Sequence, residues 1–81
     1  MKLPRDVSGT ELIKALQRIG YEVTRQTGSH IRLSSRSPDQ HHVTIPNHNP
    51  LRVGTLSAIL SDVASHRNLV REDLIRQLFS D

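Results

Sequence analysis

Residues 21–33, Tyr21-Glu22-Val23-Thr24-Arg25-Gln26-Thr27-Gly28-Ser29-His30-Ile31-Arg32-Leu33, decide the fold. Tyr21, Val23 and Arg25 alternate with Glu22, Thr24 and Gln26, and a side-chain period of two is that of a half-buried strand. Thr27-Gly28-Ser29 makes a turn, after which Ile31 and Leu33 alternate with His30, Arg32 and Ser34 in a second strand. Val23, Ile31 and Leu33 then belong on one core-facing side. Pairing Val23 with Leu33 requires an odd-numbered or bulged first loop, with Gly28 supplying the unusual dihedral. That register sets Gln26 opposite His30 and Thr24 opposite Arg32.

Downstream, Ser35-Arg36-Ser37-Pro38-Asp39-Gln40 is rich in turn-forming residues. Val43 and Ile45 alternate with His42 and Thr44 in a third strand, stopped by Pro46. An Ile31–Ile45 pairing puts His30 opposite Pro46, with His48 just past the strand end. His42 sits four residues away, about 13 Å along the strand. Thr24, Gln26, His30, Arg32, His42 and Thr44 therefore share the open face, away from the core.

Upstream, Ser8-Gly9-Thr10-Glu11 is a capping box, with Val7 and Leu12 placed for a hydrophobic staple. Leu12, Ile13, Leu16 and Ile19 form one apolar helical stripe, and Gly20 stands where a left-handed terminal residue is wanted. The first helix is thus expected over 9–19. After the loop Asn47-His48-Asn49-Pro50, a second helix is expected near Val53–Ala64, with Leu56, Ile59, Leu60 and Val63 inward. His66 falls in the loop beyond it. A third helix, near Arg71–Phe79, presents Leu74, Ile75 and Leu78, with Val70 a weak cap. The order is α-β-β-β-α-α. An α+β fold with helices on one face of a three-stranded antiparallel sheet buries all these stripes.

The length of 81 residues fits a single domain over 1–81. Such a chain buries only roughly 60 % of its unfolded surface, so its function is expected on an open face or shallow groove. It has no cysteine, which removes disulfides and thiolate zinc sites. Neither a signal-peptide stretch nor a membrane-spanning run is visible, so a cytoplasmic protein with no membrane partner is expected. The formal net charge of +3 divides into +4 over residues 1–52 and −1 over 53–81, and nine of the eleven basic residues are arginine. Arginine is the better geometric match to phosphate, so a polyanion partner is one reading and ordinary charge scatter the other. Tyr21 and Phe79 are the only aromatic residues, and both fit structural roles. Base stacking is thereby disfavoured against recognition of the backbone and 2′-hydroxyls.

Thr27-Gly28-Ser29-His30, Val43-Thr44-Ile45-Pro46-Asn47-His48 and Gly54-Thr55-Leu56 with Ile59-Leu60, preceded by the capped helix and Gly20-Tyr21, resemble the HicA (YcfA-like) toxins. The resemblance runs over about residues 7–78. It implies a double-stranded-RNA-binding-domain-like fold and ribonuclease activity on messenger RNA. It also implies a HicB-type antitoxin that covers the His30 face, and a catalytic histidine at His30. The chain departs from many members in having Ile31 where a second histidine or aromatic follows, and Pro50-Leu51-Arg52 where glycine and lysine are common.

RNA carries its own nucleophile, so a base that takes the 2′-hydroxyl proton starts cleavage without a metal. Imidazole suits that task near neutral pH. On this reading His30 is the base, Arg32 with Arg25 or Arg36 binds phosphate, and His48 is the partner acid. Gln26, Ser29 and Thr44 complete the RNA-binding set. The plain alternatives are a solvated strand histidine at 30 and a loop histidine without a role at 48. His41, His42 and His48 could be read as zinc ligands, but adjacent strand histidines face opposite ways and no carboxylate is suitably spaced. No metal and no cofactor are therefore expected. The amides around Val53-Gly54-Thr55 could hold a phosphate, as could those at any helix start. Two other classes stay open: a non-catalytic RNA-binding module or inactive toxin remnant, and a protein-interaction domain with no RNA affinity.

Overall fold

A computed structural model describes residues 3–4, 6–37 and 39–80. Met1, Lys2, Arg5, Pro38 and Asp81 lie outside the described residues, and with Pro38 one position of the predicted second turn. The first helix, α1, runs over Gly9–Arg18 and starts on the capping box read from the sequence. The Glu11 amide donates to the Ser8 hydroxyl at 3.0 Å, and the Ser8 amide donates back to the Glu11 carboxylate at 3.4 Å. Val7 and Leu12 are both buried, as the staple requires. The helix ends at Gly20, whose φ of 109° is open to glycine and strained for other residues. There the Tyr21 amide donates to the Leu16 carbonyl and the Gly20 amide to that of Gln17, which closes a Schellman motif.

Three strands follow, β1 (Glu22–Thr27), β2 (His30–Ser35) and β3 (His41–Pro46), then α2 (Val53–His66) and α3 (Arg71–Phe79). The sheet is antiparallel in the order β1-β2-β3. A helix, three antiparallel strands and two further helices make the α+β, double-stranded-RNA-binding-domain-like arrangement expected from the sequence. Leu33, Val43 and Ile45 on one sheet face join Leu12 and Leu16 of α1, Leu56, Leu60 and Val63 of α2 and Leu74 and Leu78 of α3 in one core. Val70 caps α3 without a side-chain hydrogen bond, as its weak start implied.

The second helix runs two residues further than its apolar stripe indicated. Asn68 takes a left-handed φ of 57°, the Leu69 amide donates to the Ala64 carbonyl and the Asn68 amide to that of Ser65. This is a second Schellman closure with asparagine in the glycine role. His66 is therefore the last helical residue and not a loop residue. It is also engaged: its ring stacks on His41 at 4.2 Å and its Nε2 donates to the Asp39 carbonyl at 3.0 Å.

Val23 departs from its expected core position. It pairs with Leu33 as anticipated but remains 45 % exposed. β1 is one of the two edge strands and every residue of it is exposed. Tyr21, just before the strand, is the β1-side residue that enters the core, at 1 % exposure.

Candidate nucleic-acid interface

β2 carries the open face by strict alternation. Leu33 points into the core, so His30, Arg32 and Ser34 point away from it. β3 pairs with β2 through Ile31–Ile45 and His30–Pro46, as expected, and aligns Thr44 with Arg32 and His42 with Ser34. Residues directly opposite share a face, which puts Thr44 and His42 beside the β2 set.

β1 joins this face by a different route from the one read in the sequence. The register shifts between Val23 and Arg25, so the extra residue is Thr24 inside the strand and not a residue of the loop. Beyond that bulge Arg25 pairs with Arg32, Gln26 with Ile31 and Thr27 with His30. The expected pairings of Gln26 with His30 and Thr24 with Arg32 are therefore corrected. A bulge inserts one residue and so inverts the facing of those that follow it. Arg25 and Thr27 turn to the open face, and Gln26 turns to the face of Ile31. Gln26 there donates to the Gly28 carbonyl at 3.4 Å, in a turn where Gly28 has a φ of 57°.

The resulting groove, about 180 Å³, is lined by Arg25, Thr27, His30, Arg32 and Thr44. It is open and shallow, as the size of the chain implied. The His30 side chain has no hydrogen-bond partner among the described residues, so both ring nitrogens stay available. Ser29 is exposed in the turn beside it, and the Asn47 amide donates to the Ser29 carbonyl at 2.6 Å. This bond ties the hairpin tip to the loop after β3. The Gly9 amide donates to the His48 carbonyl at 2.8 Å, which holds the same loop against the start of α1. His48 is exposed on that loop and does not line the groove.

Along the same face lies a larger groove of about 780 Å³ that shares Arg25 and Arg32 with the first. Arg36, His42 and Arg67 line it too. The guanidiniums of Arg25, Arg32, Arg36 and Arg67 make no ion pair or hydrogen bond among the described residues, and one Arg67 nitrogen is buried in that condition. The predicted phosphate ligands Arg25, Arg32 and Arg36 are thus brought together, with Thr44 beside them. Thr27, Ser34 and Arg67 were not foreseen. Thr27 depends on the bulge, and Arg67 enters from the far end of α2.

The two neighbouring histidines face opposite ways, as alternation required. His42 meets Ser34 on the open face, whereas His41 lies on the helix side between Tyr21 and Asp62. Among the described residues no group of three or more His, Asp or Glu side chains could hold a metal ion. Among them, too, no helix is long and apolar enough to cross a membrane.

No curated protein and no solved structure matches the chain. A family model described as the HicA toxin of bacterial toxin-antitoxin systems does match, over residues 9–64. These residues run from the first helical position through the whole sheet to the inner residues of α2. The chain belongs to the HicA family of toxins of bacterial toxin–antitoxin systems.

Proposed function

We propose that this toxin is an endoribonuclease that cleaves messenger RNA with His30 as the base. The observation that carries the reading is an exposed imidazole in a groove with two uncompensated guanidiniums, Arg25 and Arg32. His30 takes the proton of a ribose 2′-hydroxyl. The freed oxygen attacks the adjacent phosphorus, the 2′-O–P bond forms and the P–O5′ bond breaks, leaving a 2′,3′-cyclic phosphate. The arginines stabilise the charge that develops on the phosphoryl oxygens. His48 is assigned to return a proton to the departing 5′ oxygen, on the strength of the Asn47–Ser29 bond that holds its loop beside the hairpin tip. Ser29 and Thr44 contact the RNA backbone around the reacting phosphate, and Arg36 contacts it further along the same face. Gln26 keeps a place in the RNA-binding set only at the hairpin tip. The whole chain, 1–81, acts as one domain in the cytoplasm, and a HicB-type antitoxin silences it by covering the His30 face.

A non-catalytic RNA-binding module is the second reading, favoured by one observation. A catalytic base is commonly oriented by a further side chain, and His30 has none among the described residues. Substitution separates the two. His30→Ala should abolish cleavage of a messenger RNA while retaining the circular dichroism spectrum and RNA affinity; undiminished cleavage would sink the nuclease reading. In the same assay His48→Ala should slow cleavage by roughly 10²–10⁴-fold, the usual worth of one positioned acid. An unchanged rate removes His48 from that role and leaves His30 in place.

A further inference from the structure

The larger groove is built around a hydrogen-bonded chain that the cleavage step does not use. His42 Nδ1 lies 2.5 Å from the Ser34 hydroxyl, which lies 3.1 Å from that of Thr24, and Thr24 donates to the Arg32 carbonyl at 3.4 Å. Each hydroxyl has one proton, so the directions are fixed in sequence. Thr24 spends its proton on the carbonyl and must accept from Ser34. Ser34 in turn must accept from His42. Nδ1 therefore carries a proton whether the ring is neutral or charged, and Nε2 is left to the groove. A protonated His42 keeps every bond of the chain and adds a donor at Nε2. Thr24 reaches Ser34 from the strand bulge, and bulges beside functional sites commonly re-aim a side chain in this way.

Charge points to the ligand. Arg32 and Arg25 stand between the two grooves, Arg36 and Arg67 stand at the far one, and none of the four is neutralised by a carboxylate among the described residues. His30 and His42 lie on neighbouring strands, offset by four residues, or about 13 Å at the usual rise of a strand. A single phosphate group is far smaller than that separation, so one phosphate cannot meet both histidines. We infer that the His42 groove is a second phosphate subsite, which holds a phosphodiester of the same RNA strand several nucleotides from the one at His30, with His42, Arg36 and Arg67 as its ligands. The inference rests on the proposed RNA-cleaving function for the identity of the strand. It adds a footprint: the enzyme grips a run of backbone and gains affinity with strand length, without reading bases.

Binding to 2′-O-methyl oligouridylates tests this, because such strands lack the nucleophile and stay uncut. A dinucleotide carries one phosphodiester and fills the His30 groove alone, whereas a hexanucleotide carries several and can span both. Affinity of the intact protein should rise by roughly tenfold from two to six nucleotides, the order expected of one set of charge-assisted bonds. The rise should vanish in His42→Ala/Arg36→Ala, and in the single charge reversal Arg36→Glu. Each variant is an exposed substitution whose folding is checked by its circular dichroism spectrum. Overturning results are an equal rise in the variants, or no rise in the unsubstituted protein. The nuclease reading is judged separately by cleavage in His30→Ala, so either idea can fail alone.

Discussion

Tyr21 joins the helix side of the sheet to its helices through one hydroxyl. That hydroxyl lies 2.8 Å from His41 Nδ1, and His41 Nε2 lies 3.2 Å from the Asp62 carboxylate. The carboxylate can only accept, so Nε2 carries the proton of the neutral ring, Nδ1 accepts, and the phenol must donate. Burial pushes the Tyr21 hydroxyl above the ordinary tyrosine range, the Arg67 charge draws it back, and Asp62 raises it again. Above about pH 10 an unfolded tyrosine gives up its proton while the folded one keeps it. The folded state then binds more protons, so stability falls as pH climbs through the folded value. Tyr21 is the sole tyrosine and there is no tryptophan, so ultraviolet absorbance reports it alone. Spectrophotometric titration of the folded protein should give a midpoint above 10. Tyr21→Phe should flatten the alkaline loss of stability and cost about 1 kcal/mol at neutral pH, the usual worth of such a bond. A phenol that titrates at or below 10 in folded protein would contradict the arrangement.

At the scale of elements, the start of α1 and the loop after β3 are fitted to each other. A Cβ on Gly9 would run into the Pro46 carbonyl oxygen and crowd Asn47, while the Gly9 amide donates to His48. Gly9→Ala is expected to destabilise by about 1–3 kcal/mol, the range for overpacking, even though alanine is the better helix former. Chemical denaturation checks it, and a gain in stability would show that the loop can move away. Cleavage should fall as well, because this loop carries His48. The capped ends of α1 and the Ile31–Ile45 register were legible because each is specified locally, by Ser8 with Glu11, by Gly20, and by apolar residues on one strand face. The bulge was not. Val23 opposite Leu33 is satisfied equally by an extra residue in the turn or in the strand. Glu22, Thr24, Arg25 and Gln26 are all polar on an exposed edge, so no hydrophobic penalty marks which one is extra. The facing of Arg25 and Gln26, and half of the site with it, rested on that undetermined choice. Asn68 is different: its role at the end of α2 was readable from residue type, and the apolar stripe alone did not reveal it.

Across the whole molecule, the core and the candidate site occupy opposite faces of one thin sheet, and they make opposing demands on charge. The helix side holds the apolar core, while the open side gathers arginines that the protein itself leaves uncompensated among the described residues. Arg25 and Arg32 are direct cross-strand partners. Like charges in that relation are destabilising by a few tenths to about 1 kcal/mol. A surface shaped only by stability would not keep such a pair, and the proposed RNA partner supplies phosphates that would relieve the repulsion. Arg25→Gln, which keeps a polar side chain and removes charge, should therefore raise the denaturation midpoint at low salt. The gain should shrink as added salt screens the pair in the parent protein, since the Debye length falls to about 10 Å at 0.1 M. RNA affinity should move the other way, with a salt dependence shallower by about 0.7 in the logarithmic slope for one lost phosphate contact on a single strand. Both measurements use the same variant and buffer series. If Arg25→Gln lowers stability at every salt concentration and leaves RNA affinity intact, the open face is an ordinary surface and the strain across β1 and β2 has no functional source.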